Sequence, residues 1–137
     1  MAIANFSFAG DTPNDLKKRQ AILSFQDEDD IHCLSNVLKK QRYRVTGKSQ
    51  QVAEVLELLR KHKKGIFFLD FDIEKLGSFD FISKARALHP DFKIIIAAKT
   101  MNKEEIQSAK KLGIAGFLAK PLTADAVGKL LSKPIFN

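Results

Sequence analysis

Short apolar runs alternate with amphipathic stretches from Arg19 onward, and the alternation predicts the elements. Ala21-Ile22-Leu23-Ser24-Phe25 reads as a strand, followed by a helix over about 29–40 whose stripe is Cys33, Leu34, Val37 and Leu38. Tyr43 to Thr46 reads as a short strand. Val52, Val55, Leu56 and Leu59 then recur at the spacing of a helix face. Gly65 to Leu69 is apolar throughout, as expected of a strand with helices on both sheet faces, and it ends on Asp70. A helix follows over about 78–88 with Phe79, Ile82 and Ala85 inward, then the strand KIIIAA from Lys93 to Ala98. Asn102 caps the next helix, which ends near Gly113, where a left-handed cap belongs. Ala115 to Ala119 is the last strand, and Thr123 opens a final helix with Val127, Leu130 and Leu131 inward, stopped by Pro134.

These are βα units in strict alternation, without an internal repeat. They predict an α/β fold: a flavodoxin-like, doubly wound parallel sheet in the order 2-1-3-4-5, with right-handed crossovers. In such sheets ligands and chemistry sit at the C-terminal edge of the strands. Asp70 ends one buried strand there and Lys120-Pro121 ends another, so a carboxylate and an ammonium are expected to meet.

Length and composition add bounds. With 137 residues the chain is expected to form one domain over residues 19–134, with an N-terminal arm over 1–18 and a short tail over 135–137. No apolar run approaches the roughly 20 residues of a membrane span. The N-terminus lacks the basic start and apolar core of a signal peptide, so a cytoplasmic protein without membrane association is expected. The single cysteine, Cys33, excludes an internal disulfide and is read as an inert, buried thiol. His32, His62 and His89 have no zinc-ligand spacing.

The net charge of +7 raises the question of nucleic acid. Its clusters, Lys17-Lys18-Arg19 and Arg60, Lys61, Lys63, Lys64, interleave no aromatics, and solvated helix ends explain them better. The carboxylates are more telling: Asp27-Glu28-Asp29-Asp30 and Asp70, Asp72, Glu74, Asp80 gather at two strand ends, as a cation site would require. Helix capping explains such acids equally, and for Asp29 and Asp30 it is the preferred explanation.

GIFFLD ending at Asp70, and LGIAGFLAKPL around Lys120, make residues 19–134 resemble the receiver domain of two-component response regulators. The second segment is similar to the family's Gly-Ala-x-x-aromatic-x-x-Lys-Pro stretch, with Ile114 in place of the usual Ala. The resemblance implies Asp70 as acceptor of a phosphoryl group from a histidine kinase, and Lys120 as the lysine that screens it. It implies Phe117 as the aromatic switch and the carbonyl of Asp72 as a ligand, with Asp70, of Mg²⁺.

The departures are as informative. The family's acidic pair after the first strand falls on Phe25 and Gln26, which offer Mg²⁺ no anionic oxygen. The hydroxyl position at the end of the fourth strand is Ala98, with Thr100 nearby. Ile73-Glu74 replaces the usual Met-Pro, and the loop before Gly77 is one residue short. Asp27 or Glu28 restores a metal ligand only if the first βα loop carries an extra residue. Otherwise Phe25 packs where the metal would sit.

Three readings follow. In the favoured one the chain is a degenerate, pseudo-receiver signalling module without cofactor, in which Asp70 and Lys120 form a structural ion pair. It acts through protein partners on the face around residues 102–133, or as a homodimer, and not as an enzyme in the ordinary sense. Lys110, Lys111, Lys129 and Lys133 would make that face basic and suited to an acidic groove. In the second, the chain is a working receiver in a phosphorelay, catalysing its own phosphorylation at Asp70 with Mg²⁺. In the third it binds a flavin, a nucleotide or nucleic acid, but the anionic QDEDD loop would repel phosphate.

Overall fold

The computed structural model describes residues 20–49, 51–72, 75–133 and 136. The expected arm over 1–18, the dipeptide Ile73-Glu74 and the helix stop at Pro134 lie outside the described residues. Strands β1 (Gln20–Ser24), β2 (Arg44–Ser49), β3 (Gly65–Asp70), β4 (Phe92–Ala98) and β5 (Gly116–Ala119) alternate with helices α1 (Glu28–Lys40), α2 (Val52–His62), α3 (Lys75–Leu88), α4 (Lys103–Lys111) and α5 (Ala124–Leu131). The strands are all parallel, in the order β2-β1-β3-β4-β5. That is the doubly wound 2-1-3-4-5 arrangement expected from the alternation.

Period-two alternation along each central strand sends side chains to two cores. Ala21, Leu23, Ile66, Phe68, Ile95 and Leu118 pack with Leu34, Val37 and Leu38 of α1 and Val127, Leu130 and Leu131 of α5. Ile22, Phe67, Leu69, Ile94 and Ile96 pack with Val55 and Leu59 of α2, Phe81, Ile82 and Ala85 of α3 and Ala109 of α4. Asp70 continues the Ile66, Phe68 parity and Lys120 continues that of Leu118, so both emerge on the α1/α5 side of the sheet. Register brings their strand ends level: Asp70 lies beside Ala97 and Ala98 beside Ala119. Backbone hydrogen bonds from Phe71 to Ala97 O (2.8 Å) and from Lys120 to Ala98 O (2.9 Å) carry the pairing past the last strand residues.

Capping sets the helix starts. Asp27 accepts from the Asp29 amide, and Thr123 accepts from the Ala126 amide. Asn102 and Glu105 form a reciprocal capping box. Gly113 has φ +83° just past α4, as its place in the sequence required.

Two elements differ from the sequence expectation. Strand β2 runs on through the polar Gly47-Lys48-Ser49, because β1 supplies ladder partners as far as Ser49, across an irregularity between Ala21 and Ile22. Helix α3 begins at Lys75, before the expected start near 78, and runs through Gly77. A helical glycine costs about 1 kcal/mol against alanine, and burial of Phe81, Ile82 and Ala85 outweighs it.

Candidate functional site

Strand β3 delivers Asp70 to the C-terminal edge with its side chain only 5% exposed. Two donors hold it: Oδ1 accepts from Lys120 Nζ at 2.6 Å and from the Asp72 amide at 3.0 Å. The second bond closes an Asx-type turn at the end of the strand. Asp72 Oδ2 then lies 3.3 Å from Lys120 Nζ and accepts from the Lys99 amide at 2.9 Å. One lysine and two aspartates thereby tie together the ends of β3, β4 and β5. The Lys120-Pro121 peptide bond is cis.

A third carboxylate joins them. Asp30 Oδ2 is 3.8 Å from Lys120 Nζ, and its side chain is only 13% exposed. A capping role is expected for Asp30, but Asp27 performs that task and Asp30 reaches inward. The signal was present: Asp30 stands four residues before Leu34 and seven before Val37, in line with the buried stripe of α1. Asp27 itself is exposed at the helix cap, bonded to the Asp29 amide at 2.8 Å. Among the described residues it takes no part in the contacts around Asp70.

Phe25 is fully buried, and Lys120 Nζ lies 5.9 Å from its ring centroid. An aromatic face at that distance attracts a cation. Gln26, the other position of the expected acidic pair, is exposed. Ala98 is buried and Phe117 half-buried, both with the core on the α2–α4 side. They line a shallow cleft of about 260 Å³ together with Thr100, Met101, Ile106 and Leu118.

The electrostatics follow from this crowding. Burial pulls the Lys120 ammonium down, but the hydrogen bond and charge of Asp70 and the charge of Asp72 outweigh it, so its pKa stands above the ordinary lysine value. Burial pushes the Asp30 carboxyl up. Lys120 opposes that shift, whereas Asp27, Asp70 and Asp29 reinforce it. Cys33 departs from expectation: its thiol is only half-buried, lining a cleft between α1 and α5 with Val37, Gln41 and Gly128. Burial still raises its pKa, with the Asp30 charge adding to the effect, so little thiolate forms at neutral pH.

Among the described residues no group of three or more His, Cys, Asp or Glu side chains is arranged to hold a metal ion. The carboxylates of Asp30, Asp70 and Asp72 are disposed around an ammonium instead, and the first strand ends on a phenyl ring. The side chains present do not fit the magnesium site that the receiver resemblance implies. Among the described residues, no helix is long and apolar enough to cross a membrane.

A doubly wound sheet with an aspartate and a lysine meeting at its C-terminal edge defines a receiver-type protein. Residues 22–132 match the profile of the response regulator receiver domain, and the chain belongs to that family. It is 32% identical over 90 residues to the transcriptional regulatory protein CitT of Bacillus subtilis. That match covers 65% of this chain and 39% of CitT, so the chain corresponds to well under half of that relative. A response regulator from Thermotoga maritima superposes with a TM-score of 0.74 at 21% identity, covering 85% of this chain and 99% of that one. The Vibrio cholerae chemotaxis protein CheY4 gives 0.72 at 19% identity, over 82% and 94%. The isolated receiver domain of RcsB from Salmonella enterica serovar Typhimurium gives 0.72 at 16%, over 82% and 84%. At these identities the structural likenesses establish the fold.

Proposed function

We propose that the chain is a two-component receiver module that signals through protein–protein contacts, with phosphoryl transfer to Asp70 impaired or lost. The observation that carries this reading is Phe25. It is a fully buried phenyl ring at the position where a receiver would present one of its metal-binding acids. An attacking carboxylate and a phosphoryl group repel unless a divalent ion screens them, and Phe25 with Gln26 offers no anionic oxygen for one. Ala98 deepens the deficit, because it has no hydroxyl with which to grip a phosphoryl oxygen.

The partner face is the surface around residues 102–133. The half-buried Phe117 borders the 260 Å³ cleft there, and Lys110, Lys111, Lys129 and Lys133 are exposed on α4, α5 and the turn beyond. A cleft sized for one or two apolar side chains, on a face that also exposes these lysines, suits an acidic protein segment. The family's ordinary partners, histidine kinases and other proteins, are the first candidates, together with a second copy of this chain.

A second reading keeps the module phosphorylatable within a phosphorelay, with Mg²⁺ recruited to Asp70 and Asp72. The close Asp70–Lys120 pair favours it, since both residues stand where the family's chemistry needs them. An NMR titration of the full chain with Mg²⁺, then with beryllofluoride as a phosphoryl mimic, separates the two. No response at millimolar Mg²⁺ is expected. Shifts centred on Asp70 and Lys120 that spread to Phe117 would establish the second reading.

A further inference from the structure

We infer that Lys120 is the resident cation of this site, its ammonium held in a cage made by the Phe25 ring and the Asp30, Asp70 and Asp72 carboxylates. The inference rests on the reading of a phosphorylation-impaired receiver and says what took the metal's place. Four observations converge on Nζ. Asp70 Oδ1 is at 2.6 Å, Asp72 Oδ2 at 3.3 Å and Asp30 Oδ2 at 3.8 Å, while the Phe25 centroid is at 5.9 Å. They arrive from β3, from the loop after it, from the first turn of α1 and from the end of β1, so the ammonium is enclosed on several sides. The lysine side chain is only 9% exposed.

Phe25, a departure from a metal-binding receiver, acquires a role in this arrangement. A carboxylate at position 25 would be an anionic metal ligand, whereas a phenyl ring presents a face to a lysine. Asp30 brings a carboxylate from the first turn of α1 to within 3.8 Å of the ammonium. The cage needs no magnesium, so the strand ends that Lys120 ties together stay assembled whatever the divalent-ion concentration.

The site still carries more negative than positive charge, which makes divalent-ion binding the decisive test. Mn²⁺ is a suitable probe, because carboxylates accept it and its paramagnetism broadens nearby resonances. The full chain and its Lys120→Ala variant would be titrated with Mn²⁺ and followed by amide NMR, with circular dichroism as the measure of folding. The wild-type chain is expected to show no broadening centred on Asp70. With the ammonium no longer between them, the three carboxylates can close on an ion that they are not arranged to hold in the wild type, so the variant is expected to bind Mn²⁺ with broadening at Asp30, Asp70 and Asp72, and adding Asp30→Asn is expected to weaken that binding about tenfold or more.

If Lys120→Ala unfolds in chelator, millimolar Mn²⁺ should restore its fold, since a divalent ion would neutralise the stranded carboxylates. Equal Mn²⁺ affinity in wild type and variant would overturn the inference. So would a variant that is folded yet does not bind, or one that Mn²⁺ fails to refold. A silent wild type beside a variant that fails either test would remove the cage alone and leave the impaired-receiver reading standing. A wild-type chain that takes both Mn²⁺ and beryllofluoride would remove both.

Discussion

Replacing Lys120 with methionine keeps most of the side chain's length and apolar stem while deleting the charge. Asp70 is then left 5% exposed with its strongest partner gone, beside two further carboxylates. Removing one member of a buried ion pair costs about 3–5 kcal/mol, because the other member stays desolvated and uncompensated. For a domain of this size that is a fall of roughly 10–20 °C in Tm. Asp70→Asn is milder, about 1–2 kcal/mol, because the ammonium keeps Asp72 and Asp30. The double variant should be less destabilised than the sum of the singles by about 1–3 kcal/mol, the coupling of a directly bonded pair.

Urea denaturation of the four proteins at neutral pH measures the cycle. The Lys120 pKa is raised above 10.5 in the folded state, so its stabilisation is fully present below that ordinary value. It is lost only as pH climbs through the folded value. The wild-type chain should therefore show an extra alkaline loss of stability above about pH 10.5 that Lys120→Met lacks. Single effects that add within about 0.5 kcal/mol, or a Lys120→Met cost below about 1 kcal/mol, would refute the buried-pair account.

Asp30→Asn tests the opposite sign: the folded pKa of this acid lies above 3.8, so the stability it contributes is present at lower pH and is lost as pH rises through the folded value. Urea titrations should show the asparagine variant gaining on wild type between acid and neutral pH, and the reverse trend would contradict the burial of this carboxylate. Gly65→Ala should cost about 1–3 kcal/mol in strain alone, read by thermal unfolding. Gly65 has φ +145°, and an added Cβ would run into the Gln20 carbonyl of the neighbouring strand. A variant as stable as wild type would show that this close approach can relax.

The pattern of the chain determined the fold. Buried strands alternating with amphipathic helices admit few packings other than a doubly wound sheet, because each strand needs cover on both faces and each helix has only one apolar stripe. Asp70 and Lys120 were legible as a pair because both end apolar runs, and parallel strands present those ends along one edge. Asp30 was harder to place. In the run Asp27-Glu28-Asp29-Asp30 every residue suits the start of a helix, and only the packing of α1 decides which one turns inward. Asp27 was free to cap, and Asp30 shares the stripe of Leu34 and Val37, so helical rotation carried it beneath Lys120. Cys33 is half-buried rather than buried for a related reason. It lies near the edge of that stripe, and the cleft between α1 and α5 leaves it half-open. Local sequence sets which residues can face a core or a cap, but contacts between elements distant in the chain set which of them do. The ammonium among three carboxylates and a phenyl ring draws on three stretches far apart in the chain, residues 25–30, 70–72 and 120, so tertiary structure alone could assemble it.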